Sequence, residues 1–170
     1  MRPSNVQTKS IVFAGLDIQP IAGEGLDASN FDWDDVSIGI HTNHQKRDGN
    51  THFLYLRFIV ENEEGKTAPY TMDVQAMGLF EFIGTDTPEK VTDLVVVNGL
   101  SILYGAIREM TTVVTSRMPH GAICLPGANF LDHRPSIDQS AGASKASAPS
   151  KKAGERRAPS KKDKQADRPS

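Results

Sequence analysis

Cysteine is almost missing from this 170-residue sequence, in which Cys124 stands alone. A single thiol excludes an internal disulfide and leaves no thiolate cluster for structural zinc, so a reducing compartment suits the chain. Long apolar runs are missing as well. No span approaches the roughly 18 apolar residues of a membrane helix. The opening stretch MRPSNVQTKSIVFAGLDIQ has no apolar signal region followed by a small-residue cleavage site. The expectation is a protein made and kept in the cytoplasm. No glycine loop ending in Lys-Ser or Lys-Thr occurs, nor a Gly-x-Ser-x-Gly elbow, so phosphate cradling and serine acyl chemistry lose their usual signatures. Cys124 lies four residues from His120, a spacing that by itself defines no nucleophile. The chain is expected not to be an enzyme and to need no cofactor.

Residues 140–170 lack aromatics, Val, Ile, Leu and Met altogether. Such a segment cannot bury enough apolar surface to offset the entropy of ordering it, and it reads as a disordered basic tail. Its nine Lys or Arg against three Asp or Glu balance to +6, so a chain total of −2 leaves −8 for residues 1–139. An acidic domain at 1–139 therefore precedes the tail. The tail's Lys-Lys and Arg-Arg pairs could hold nucleic acid by charge alone, although a solubilising role is the simpler reading.

Within the domain, residues 9–18 carry Ile11, Val12, Phe13 and Leu16 and run into Gln-Pro, which reads as a strand entering a Gly-rich connection. After Phe31 and Trp33, the residues Val36, Ile38 and Ile40 alternate with Asp35, Ser37, Gly39 and His41, the pattern of a half-buried second strand. Asp48-Gly49 is a favoured turn pair. Residues 52–61 then place Leu54, Leu56, Phe58 and Val60 on one face, and Phe53, Tyr55 and Ile59 on the other with only Arg57 breaking it. A turn at Glu63-Glu64-Gly65-Lys66 leads to a fourth strand from Tyr70 toward Phe82, with Gly78 as a candidate bulge.

Thr87-Pro88-Glu89 starts a helix with a hydroxyl cap, a proline at the first helical position and an acid at the positive end. The helix reads through Val91, Leu94 and Val95, meets Asn98-Gly99 as a kink or short break, and continues with Leu103, Ala106, Ile107, Met110, Val113 and Val114. Pro119 and Gly121 end it. A second helix can begin near Asn129, but Pro135 allows it little length. Met110 and Met118 read as packing residues. His41, His44 and His52 flank a turn, yet no cysteine or patterned carboxylate completes a metal site. The architecture is α+β: a four-stranded antiparallel meander with a long first crossover, one long helix and a short second one. The apolar second face of strand three favours cover by another copy.

Across residues 31–130 four segments in order carry a resemblance: FDWDDVSIGI, YTMDVQAMGLFEFIG, ILYGAIREMTTVVTSR and LPGANF. Together they resemble the SecB family of protein-export chaperones. The resemblance implies a dimer of dimers whose apolar grooves hold extended, unfolded client segments without ATP. By position, the groove takes Phe31 and Trp33 from the crossover, Leu79, Phe80 and Phe82 from the end of strand four, and Leu125 and Phe130 from the segment after the helix. The tetramer surface involves Met72, Val74 and Ala76. In the export members the receiver is the SecA motor, which docks on acidic side chains of strands one and four; Asp73 stands at the strand-four position, while Ser10 and Ala14 occupy the strand-one positions.

The chemistry fits this reading. Burying apolar surface is worth about 25 cal/mol per Å² without direction, so a groove with a few aromatic anchors can hold many sequences. Two alternatives stay open beside a holdase for the Sec pathway. One is a SecB-like chaperone for a dedicated client such as an antitoxin. The other is a non-chaperone assembly protein that fills its grooves with its own side chains, or one that acts on nucleic acid through the tail.

Overall fold

The computed structural model describes residues 4–23, 26–62 and 68–135. The basic tail and the turn expected at 63–66 lie outside the described residues. Four strands form one antiparallel sheet: β1 (Val6–Pro20), β2 (Ser37–Lys46), β3 (Thr51–Glu61) and β4 (Tyr70–Phe82), in the order β1-β4-β3-β2. The last three are consecutive antiparallel neighbours, a meander, with Gly49 at φ 63° in the β2–β3 hairpin. The long connection after β1 carries the chain back across the sheet, so β1 pairs with β4 and β2 becomes the opposite edge.

Strict alternation sorts the two central strands into faces. Leu54, Leu56, Phe58 and Val60 of β3 and Met72, Val74, Ala76 and Phe80 of β4 are all buried on the inner face. The irregularities of the sheet lie in β1, between Thr8 and Ser10 and between Phe13 and Gly15, whereas Gly78 sits in regular register between Ile11 and Leu54. The bulge expected at Gly78 is therefore absent. That glycine serves close packing instead, because a Cβ there would stand 2.5 Å from the Phe80 ring and 3.0 Å from Leu103.

The inner face is covered by α1 (Pro88–Thr115), one continuous helix of 28 residues. The break expected at Asn98-Gly99 does not occur. Gly99 is buried where α1 crosses the sheet, with Leu54 so close that a Cβ would lie 2.2 Å from its Cδ1. The Thr87 hydroxyl makes no capping bond either; the first turn closes through Val91 N–H to Thr87 O at 2.9 Å. By length and composition α1 is apolar enough to cross a membrane, against the expectation from the sequence. Its stripe of Val91, Val95, Leu100, Leu103 and Ile107 is spent on the sheet. Val113, expected inside, is 54% exposed, and Thr111 and Thr115 take the core positions of the last turns.

Beyond α1 the chain returns along the helix and is fastened by polar bonds from inside the core. Thr115 Oγ1 accepts from Ile123 N–H at 3.0 Å, Tyr70 donates its hydroxyl to Gly121 O at 2.8 Å, and Tyr104 donates to Pro126 O at 2.7 Å. The short second helix is a single 3-10 turn at Leu131–His133, stopped before Pro135.

Candidate functional site

The crossover aromatics are set by two short 3-10 turns, each started by an aspartate. Asp27 accepts from the backbone N–H and hydroxyl of Ser29, bonds that hold its carboxyl below the usual carboxylate range. Asp32 accepts from Asp34 N–H at 3.1 Å. Phe31, between these turns, and Trp33, the first residue of the second, meet edge to face at 4.9 Å and pack, half-buried, against the core.

His120 ties this crossover to the end of α1. Its Nδ1 lies 3.0 Å from Leu26 O and its Nε2 2.8 Å from Ile21 O, while its own backbone carbonyl accepts from Ala28 N–H at 2.9 Å. A carbonyl only accepts, so a ring nitrogen that carries a proton donates to the carbonyl it faces. His120→Phe keeps the edge-on ring contact with Tyr70 and removes both side-chain ties. The expected result is faster proteolytic cleavage in the β1–β2 connection and a stability loss of about 1–3 kcal/mol in urea unfolding, with the far-UV circular dichroism unchanged.

The seven residues expected to line one groove do not come together. Phe80, Phe82, Leu125 and Phe130 are core residues, exposed by 2% or less beneath α1 and the returning segment. Leu79 is half-buried on the opposite face of the sheet. Only Phe31 and Trp33 stay at the rim. The physical reason is the period of two along β4, which sends 79 and 80 to opposite faces, together with a helix that seals the inner one. Met72, Val74 and Ala76, expected at an oligomer surface, lie on that same inner face and are at most 2% exposed.

The outer face carries the odd-numbered residues of β2, β3 and β4. Val12, Met77 and Tyr55 form one row across three strands, beside Phe53 and Leu79. Next to them Arg57 donates to Asp73 through Nε at 2.8 Å and Nη2 at 2.6 Å, Gln75 donates to the same carboxylate at 3.2 Å, and Tyr55 donates to Gln75 at 3.1 Å. The Arg57 guanidinium holds the Asp73 carboxyl below its usual range. Asp73 is thus already paired by its own chain, and a cationic partner docking there has to displace Arg57.

The structure leaves a different apolar surface open. Because α1 packs over the middle of the sheet, the inner face is uncovered beside β2, where Ile38 and Ile40 are 37% and 36% exposed. Along β2 this shelf runs on through Thr42 and His44 to a cavity of about 330 Å³ between β2, α1 and the 131–135 stretch. Leu54, Val96, Leu100 and Pro135 make its apolar wall, and Thr42, His44, Asp132 and His133 its polar one. The alternation of Ile38 and Ile40 is visible in the sequence, but their exposure is set by where α1 lies, which no local pattern encodes.

At the cavity wall His44 Nε2 meets His52 Nδ1 at 2.9 Å, the two rings stacked at 5.2 Å. His52 is fully buried and its Nε2 has no partner. Burial, and then the neighbouring His44, push its pKa down to about 4, and burial lowers that of His44 too. His41 pairs with Arg57 in register and belongs to the outer face, so the three histidines do not converge. Among the described residues no group of three or more His, Cys, Asp or Glu is placed to hold a metal ion.

No family model matches the chain, and no curated protein does. Solved structures do match. One is the Mycobacterium tuberculosis SecB-like chaperone Rv1957 in complex with a ChAD peptide from the Rv1956 HigA1 antitoxin, at 16% identity and a TM-score of 0.52, covering 74% of this chain and 91% of that one. Another is a Streptococcus agalactiae protein of unknown function, at 12% identity and a TM-score of 0.48, covering 72% of this chain and 97% of that one. At such identity the likeness to Rv1957 is one of fold, and a four-stranded antiparallel sheet under a single long helix is the fold this chain shares with a SecB-like chaperone.

Proposed function

We propose that the protein is an ATP-independent holdase, a cytoplasmic chaperone that binds extended apolar segments of unfolded clients. The observation that carries this reading is the open shelf of Ile38 and Ile40, which share the inner face of β2 with Thr42 and His44 at the cavity wall. Apolar surface left uncovered beside a polar rim is a binding surface for other chains. The fold neighbour was solved with a peptide bound, which supports a peptide-sized client for this chain also. The free Cys124 suits a reducing compartment.

Asp73's pairing with Arg57 speaks against SecA as the receiver. A dedicated client, of the kind the neighbour's antitoxin peptide represents, is therefore preferred over a secretory precursor. Oligomer formation belongs to the same proposal, with the row of Val12, Met77 and Tyr55 on the outer face as a surface for another copy.

The test is suppression of aggregation of a slowly refolding enzyme diluted from denaturant, with no nucleotide present. The protein in several-fold molar excess is expected to keep the client soluble. Ile38→Thr/Ile40→Thr retains β-branched residues at both positions, and it is expected to weaken client binding about tenfold through lost apolar contact. A wild-type chain without effect, or a double variant as active as wild type, would overturn the reading.

A further inference from the structure

The β2 edge is built to accept another backbone. Arg47 N–H donates to Thr51 O at 2.8 Å in the β2–β3 hairpin, and hydrogen-bonded and non-bonded pairs alternate along an antiparallel ladder. From that starting point Gln45, Asn43, His41, Gly39 and Ser37 exchange bonds with β3, in the register that sets Ser37 opposite Glu61 and Lys46 opposite His52. Ile38, Ile40, Thr42, His44 and Lys46 then turn their N–H and C=O groups away from the sheet. Among the described residues nothing pairs with that side, since β2 ends the order β1-β4-β3-β2.

Exposed edges are ordinarily blunted by bulges, prolines or charges. The other edge has such devices: β1 breaks register twice and ends in Pro20. β2 keeps one register through all ten residues, contains no proline, and has Lys46 at its end as its only Lys, Arg, Asp or Glu. The residues that present free backbone groups also send their side chains to the inner face, onto the shelf and into the cavity. One strand laid along this edge therefore satisfies its backbone and buries every second side chain at once.

We propose that β2 captures its client by strand addition: an extended segment joins the sheet antiparallel to β2, its alternate apolar side chains on Ile38 and Ile40. This rests on the holdase reading and specifies how that site recognises an unfolded chain. Backbone pairing reads no sequence, and only the alternate positions select. Toward the His44 end the segment takes a polar side chain, since Asp132 and His133 line the cavity there and His133 Nδ1 is buried without a partner.

The experiment uses the full chain and a fluorescent peptide of about ten residues, the length of β2, alternating Leu with Ser or Lys. Two further copies carry backbone N-methyl groups, one at every Leu and one at every polar residue. In an antiparallel addition the residues facing the shelf donate to β2, and the polar ones donate to solvent. Methylation at Leu is expected to weaken binding at least about tenfold, several backbone bonds being lost, and methylation at the polar residues is expected to leave it unchanged. Thr42→Pro deletes an N–H that the β2–β3 ladder does not use, so it is expected to fold and to weaken the unmodified peptide as strongly. Equal binding of all three peptides overturns strand addition and leaves the holdase intact, whereas binding of none overturns both. A Thr42→Pro chain that fails to fold contradicts the register on which the proposal stands. One that binds peptide normally but elutes as a smaller species assigns the edge to a second copy and overturns it too.

Discussion

Gly99→Val is expected to leave the chain largely unfolded at room temperature. Gly99 lies in the middle of α1, where the helix presses on β3 and β4, and an added Cβ would stand 2.2 Å from Leu54 Cδ1 and 3.3 Å from the Phe80 ring. Neither neighbour can swing away, because Leu54 and Phe80 are both 0% exposed. Gly78, on the strand beneath, has the Phe80 ring and Leu103 within 3.0 Å of its own missing Cβ, so the ring is held from both sides. Overpacking of this kind costs about 1–3 kcal/mol for small insertions. A valine adds a branched side chain, and the loss should exceed about 3 kcal/mol of a total that is about 5–15 kcal/mol for domains in general. Gly105 supplies the control on the same helix. A Cβ there meets nothing within 4 Å, so Gly105→Ala is expected to raise stability by up to about 1 kcal/mol through helix propensity. Urea unfolding followed by circular dichroism separates the two. A Gly99→Val chain as stable as Gly105→Ala would mean that α1 does not seat on the sheet as described.

The contrast between these glycines shows what the sequence could and could not convey. Gly99 read as a break because glycine is a poor helix former, yet its reason for being there is a contact with Leu54, 45 positions away in the chain. The strands were legible because alternation is local, and their inner faces followed from it. Which edge β1 would join was not legible, since a long connection reaches either side. The aromatics Phe80, Phe82 and Phe130, placed in a groove by the family resemblance, are core. Composition cannot distinguish the two, because a core and an apolar groove are made of the same residues and differ only in what lies on top. Thr111 and Thr115 were missed for the opposite reason: a threonine reads as polar, but Thr115 is buried with its hydroxyl satisfied by Thr111 O and Ile123 N–H. Asp73 stood at the strand-four docking position by resemblance, and its partner Arg57 becomes visible only once β3 and β4 are in register.

The buried histidine pair leads to the second large effect, a loss of stability as pH falls from about 6.5 toward about 4. His52 has its folded pKa pushed down to about 4 by burial, and His44 is lowered as well. Above the ordinary histidine value both folded and unfolded chains hold these rings neutral, and the pair contributes fully. Below it the unfolded chain takes up protons that the folded chain refuses, so stability declines with falling pH until the folded state titrates in turn. The His52 shift corresponds to on the order of 3 kcal/mol across this window. The carboxylates act elsewhere: Asp27 and Asp73 are held below their usual range, so their share is lost only as pH falls further, below about 4. Urea midpoints measured at intervals between those limits should fall steadily for the wild type. His52→Phe replaces a buried ring that leaves Nε2 unsatisfied with one that has no proton to gain, and its midpoints should fall clearly less over the same range, by the share that His44 still carries. Because His44 lines the cavity beside β2, client binding should weaken in the same window for the wild type. A wild-type profile as flat as that of His52→Phe would show that the two rings do not share a buried contact.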